Sequence, residues 1–121
     1  MTIPEQVQTI TAELISRNGI GYKVSAGEIK ALVKARFGTN LDSIIPPDYC
    51  YNRVNKGIVF MRYPRLFAHV GRGVYECLGE NYPYNGVVYA QPRELKNEII
   101  VGAWENGVFI PNVNWEGYCL K

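Results

Sequence analysis

A change of period near residue 58 constrains this chain more than any other feature. Before it, apolar residues recur every three or four positions, and after it they alternate. That change assigns the first half to helices and the second to sheet, which makes an α+β domain. Val7, Ile10, Leu14 and Ile15 follow Pro4 at helical spacing, with Gln6, Gln8, Glu13 and Arg17 on the other side, and Asn18-Gly19 ends the helix. Ile20 to Val24 reads as a short extended connection. Ser25 with Glu28 three residues on forms a capping box, Ile29, Leu32, Val33 and Phe37 form a buried stripe, and Gly38 stops the second helix. Pro46-Pro47 suits the first turn of a helix and Asp48 suits its positive end. The segment therefore reads as a short third helix from about Pro47 to Asn55, with Cys50 and Val54 inward and Tyr49, Asn52, Arg53 and Lys56 outward.

Beyond it, Leu66, Ala68 and Val70 alternate up to Gly71-Arg72-Gly73, and Val74 and Cys77-Leu78 continue after that hairpin turn. Val87-Val88-Tyr89 reads as a strand. Glu98 to Trp104 meets Asn106-Gly107, the preferred two-residue turn, and returns as Val108-Phe109-Ile110. With 121 residues the chain buries one core, so a single domain over 1–121 is expected. The expected architecture is a winged helix-turn-helix: helices over about 4–56, a β-hairpin wing over about 58–80 and further C-terminal strands over about 87–110. Its core joins Val7, Ile10, Leu14, Ile29, Leu32 and Val33 to Phe67, Val74 and Tyr75.

The net charge of +2 hides an uneven distribution. Residues 1–48 carry five basic and five acidic groups, and residues 76–121 carry three basic and six acidic. Between them lie Arg53, Lys56, Arg62, Arg65 and Arg72 with no acid. Such a block attracts a polyanion if the fold presents it on one face; a scattered, solvated set is the plainer alternative. No apolar run approaches the roughly 20 residues that cross a bilayer, and the N-terminus lacks signal-peptide character, so a cytoplasmic protein without a membrane partner is expected. Cys50, Cys77 and Cys119 are odd in number and far apart, which suggests reduced thiols rather than a disulfide framework or a metal site; Cys50 and Cys77 read as packing residues, and the pattern assigns Cys119 no role.

Three helices followed by a strand-turn-strand whose turn carries an arginine point to DNA binding. Asn52, Arg53, Asn55 and Lys56 are the side-chain types that hydrogen-bond base edges from a recognition helix. Arg72 at the wing tip would reach phosphates or the adjacent minor groove, and Arg62 and Arg65 near its base would add phosphate contacts. Tyr49 either stacks on DNA or packs, whereas Tyr51 is expected to pack and His69 to pack or touch a phosphate. The wording of the chain adds to this. The run Ser43 to Gly57 contains Pro46, Asp48-Tyr49-Cys50-Tyr51-Asn52 and Asn55-Lys56-Gly57, and Phe67, Gly71-Arg72-Gly73, Tyr75 and Leu78-Gly79-Glu80-Asn81-Tyr82 follow. In these residues Leu32 to Gly79 resembles a winged-helix domain found alone and beside HNH-type nuclease domains in restriction-endonuclease-like bacterial and phage proteins. The resemblance implies binding of double-stranded DNA in restriction or phage defence.

Catalysis is not expected. An HNH site needs at least two histidines or equivalent ligands around its metal, and this chain has one histidine, His69. Capping explains Asp42 and Asp48, and neither Cys77 nor Cys119 has a histidine partner in view. No cofactor is implied. The competing reading is a small protein-interaction module, or an inhibitor of a nucleic-acid-binding enzyme, whose basic face docks on an acidic partner.

Overall fold

The computed structural model describes residues 1–54, 60–90 and 97–112, without the side chain of Met61. The expected positions Asn55, Lys56 and Cys119 lie outside the described residues. Helix α1 (Ile3–Asn18) starts at a capping box in which Thr2 and Glu5 exchange hydrogen bonds, and α2 (Ala26–Phe37) starts at the Ser25–Glu28 box. Gly38 ends α2 in the left-handed region at φ 75°. Between the helices, β1 (Tyr22–Ser25) is a true sheet member. It pairs antiparallel with β4 (Val74–Cys77), which pairs antiparallel with β3 (Phe67–Gly71), giving the order β1-β4-β3.

A second sheet has the order β2-β5-β6-β7, from β2 (Arg53–Val54), β5 (Gly86–Ala90), β6 (Ile99–Glu105) and β7 (Val108–Pro111). Here β2 runs parallel to β5 and the other pairs are antiparallel. Asn106 and Gly107 turn β6 into β7 with φ of 48° and 81°, the positive values of a tight hairpin turn. Each sheet has its own core. Val7, Ile10, Ile29 and Val33 pack from the helices onto Phe67, Tyr75 and Cys77 of the first sheet. Tyr51, Phe60, Val88, Val101 and Trp104 fill the second.

This is not a winged helix-turn-helix. The expected third helix is absent: Pro46–Tyr49 makes a single 3-10 turn, and the chain is extended from Cys50, at φ −88° and ψ 141°. The spacing of Cys50 and Val54 fits a strand as well as a helix, since four is two strand periods. Aromatic and β-branched residues in Tyr49-Cys50-Tyr51-Asn52-Arg53-Val54 favour the strand. Tertiary pairing decides it. The Tyr51 amide donates to the Phe67 carbonyl at 2.8 Å and the Tyr89 amide to the Asn52 carbonyl at 2.9 Å, so the same stretch borders β3 and then β5. The β3–β4 hairpin exists, yet it belongs to one of two sheets and among the described residues no recognition helix stands beside it.

The helix register also differs at one position. Leu32 is 38% exposed and Ile29 and Val33 are fully buried, so the stripe of α2 is narrower than the sequence suggests. We expect Ile29→Ala to cost about 2 to 5 kcal/mol by leaving a cavity, and Leu32→Ala to cost less than about 1 kcal/mol. Equilibrium urea unfolding of both variants checks the register; the reverse order would contradict it.

Candidate nucleic-acid interface

The segment between the sheets positions the candidate site. Asn52 turns its side-chain amide to the open edge of β3, donating from Nδ2 to the His69 carbonyl and accepting from the His69 amide through Oδ1, both at 2.8 Å. It replaces a missing strand neighbour, with one N–H of its amide and its carbonyl oxygen engaged by the backbone of β3. One residue on, Arg53 at the start of β2 pairs with Glu98 at 2.5 Å. His69, locked at its backbone by Asn52, packs its ring edge-on to Tyr75 at 5.4 Å. Arg72 stands exposed in the β3–β4 turn, where Gly73 takes φ 68°.

These side chains line one open groove of ≈ 610 Å³, with Tyr75 and Tyr89 in its walls and Glu98 at its margin. Burial pushes the His69 imidazole below its ordinary value and the Arg53 charge adds to the effect, against a smaller opposing pull from Glu98. Its ring therefore enters the groove uncharged at neutral pH. Burial holds the Tyr75 hydroxyl up at about 12, so that side chain stays a neutral donor. Among the described residues the groove offers two guanidinium groups, a neutral imidazole and the half-buried ring of Tyr89, with the buried Tyr75 beneath, against the carboxylate of Glu98. That set suits a phosphate diester beside a flat base.

The other expected contacts lie elsewhere. Tyr49 is buried in the first core, its hydroxyl raised to about 12 by burial, and packs edge-on to Tyr63 at 5.8 Å. Arg65 is only 5% exposed. Its guanidinium donates to the carbonyls of Cys50 at 2.8 Å, Tyr63 at 3.2 Å and Asp48, and it lies over the Phe60 ring at 4.5 Å. Arg62 is exposed, but it borders a different pocket, beside the start of α1. The basic block thus divides, and of its described members Arg53 and Arg72 share the groove. Tyr75, expected only in the core, and Tyr89 and Glu98 join the site without having been expected there. Alternation in Val87-Val88-Tyr89 is the signal that would have placed Tyr89 opposite the buried Val88.

The thiols of Cys50 and Cys77 are buried, and burial raises them to about 12 and about 11, as expected of packing residues. Among the described residues no group of three His, Cys, Asp or Glu side chains is placed to hold a metal ion. No helix among them is long and apolar enough to cross a membrane.

Comparison with known proteins adds a family. No solved structure matches the chain. A Bacillus subtilis (strain 168) protein, named uncharacterized protein YnaC, is 44% identical over 108 residues, covering 89% of this chain. The chain spans only 38% of that relative's length. Residues 2–110 match the family described as a domain of unknown function, DUF7225, and the chain belongs to that family.

Proposed function

We propose that this domain is a non-catalytic DNA-binding module that grips the phosphate backbone in the groove of Arg53, His69 and Arg72. The observation that carries the reading is the convergence of these three side chains, from two separate segments, on one open groove walled by Tyr75 and Tyr89. Sequence readout is not part of the proposal. Base discrimination needs donors free to meet base edges, and Asn52 is committed to the backbone of His69. Two arginines, one of them shared with Glu98, support a weak grip on a duplex in the range of about 10⁻⁴ to 10⁻⁶ M. A weak grip suits a module that acts beside other DNA contacts, and a relative more than twice as long has room for them. The setting we propose, restriction or defence against phage, rests on the Asp48–Asn52 string and its neighbours.

A second reading, a protein-interaction module, is favoured by the outer face of the second sheet. Val87 stands there with Ile100, Val108 and Ile110, all more than a third exposed on strands whose solvent face is usually polar.

Fluorescence anisotropy with a labelled duplex at several salt concentrations tests the first reading. We expect a slope of log affinity against log salt near −2, reduced by about one unit in Arg53→Ala and again in Arg72→Ala. Binding unchanged in both variants, or absent at low salt, would contradict it; loss of a protein partner on Ile110→Asp with DNA binding intact would favour the second reading.

The histidine gives the groove a pH dependence with a definite sign. Its protonation is disfavoured in the free fold by burial and by Arg53, and a bound phosphate favours it, so binding takes up a proton. Affinity for the duplex should rise as pH falls from about 7.5 to about 5.5, and His69→Gln should flatten the profile. The free fold responds in the opposite sense. The unfolded chain protonates first, so the histidine's contribution to stability is present above its ordinary value of 6.5 and declines as pH falls through it toward the lowered value.

A further inference from the structure

A second pocket lies where the first turns of α1 meet residues 60–65, residues 79–82 and the β6–β7 turn. Its volume of ≈ 370 Å³ falls within the range of about 300 to 1,000 Å³ usual for small-molecule sites. Buried residues, Tyr51, Arg65 and Trp104, form its floor, and exposed Glu5, Arg62 and Glu80 stand at its rim.

The floor has polar capacity to spare. A guanidinium carries five N–H donors, and among the described residues Arg65 commits three of its own, to the carbonyls of Asp48, Cys50 and Tyr63. Among the described residues Arg65 has no carboxylate within ion-pair distance, and neither has Arg62. A buried cation of this kind favours an incoming carboxylate, with which it makes short, charge-assisted bonds. The rim has the opposite character on one side. Glu80 accepts from Gln8, and Glu5 accepts from Thr2 in the capping box, which fixes both carboxylates in place. Their charge excludes a polyanion such as DNA and favours an ammonium group. Between floor and rim, Tyr63 and Tyr82 offer aromatic surface.

We propose that this pocket binds a small zwitterion of amino-acid size, with its carboxylate at Arg65 and Arg62, its ammonium at Glu80 and Glu5, and its side chain against Tyr63 and Tyr82. The site is independent of the proposed DNA groove, which shares none of its lining residues.

The test is a thermal-shift and calorimetric titration of the whole chain with each of the free L-amino acids, followed by the amide and N-acetyl derivatives of the best binder. At least one amino acid with a large side chain should raise the melting temperature and bind. Removing either of its charges should weaken binding by about tenfold or more, because a charged partner in the pocket is left unpaired. Arg62→Ala and Glu80→Gln change exposed side chains, so the fold should survive, as circular dichroism would verify; each should weaken binding by about tenfold, and Arg53→Ala should leave it unchanged. The proposal is overturned if no amino acid binds, if the amide and N-acetyl forms bind as well as the parent, or if the two rim variants bind like the wild type.

Discussion

The structure depends on the buried guanidinium of Arg65 holding the chain that joins the two sheets. Arg65 donates to the carbonyls of Asp48 and Cys50, on the stretch that leaves the Pro46–Tyr49 turn, and to that of Tyr63 on its own loop. Taking a cation out of water costs several kcal/mol, and here three carbonyl dipoles and the face of Phe60 replace the lost hydration. Burial lowers the group to about 10, which leaves it charged at neutral pH. Lysine would not serve in its place, because a single ammonium lacks the planar fork that reaches several carbonyls at once.

What Arg65 holds is a seam. Tyr51 gives its amide to Phe67 of the first sheet and its carbonyl to the indole of Trp104 in the second, at 2.8 and 2.7 Å. Its hydroxyl donates to the Gly79 carbonyl and accepts from the Tyr82 amide, while its ring stacks on Tyr84 at 5.1 Å and meets Trp104 edge-on at 5.2 Å. Asn52 then completes the edge of β3, and Arg53–Val54 starts the second sheet as β2. Both pockets lie along this line: the groove carries Asn52 and Arg53, and the other pocket is floored by Tyr51 and Arg65. The seam sets the fold and the sites together.

The sequence showed the local devices and missed the seam. The capping box at Ser25, the stops at Gly19 and Gly38 and the turn at Asn106-Gly107 are legible because each rests on residues a few positions apart. The extended state of Cys50 to Val54 rests on partners at Phe67, His69 and Tyr89, which no local pattern displays. With the third helix went the picture of Asn52 and Arg53 on a recognition surface. Charge was legible as a count and illegible as a surface: Arg65 is inside, Arg62 borders the α1 pocket, and Arg53 is shared with Glu98. The packing expected of Tyr51 is seen, and its side chain carries more of the junction than any residue type alone would suggest.

If the seam joins the sheets into one cooperative unit, they cannot open separately. Native-state hydrogen exchange at increasing denaturant measures this directly, residue by residue. The amides of Tyr51, Leu66 and Tyr89, bonded to Phe67, Tyr49 and Asn52, should exchange with those of β3, β4, β5 and β6 at one common free energy, that of global unfolding. Exchange of β5 and β6 through a smaller opening, with β3 and β4 still protected, would show two independent sheets and contradict the account.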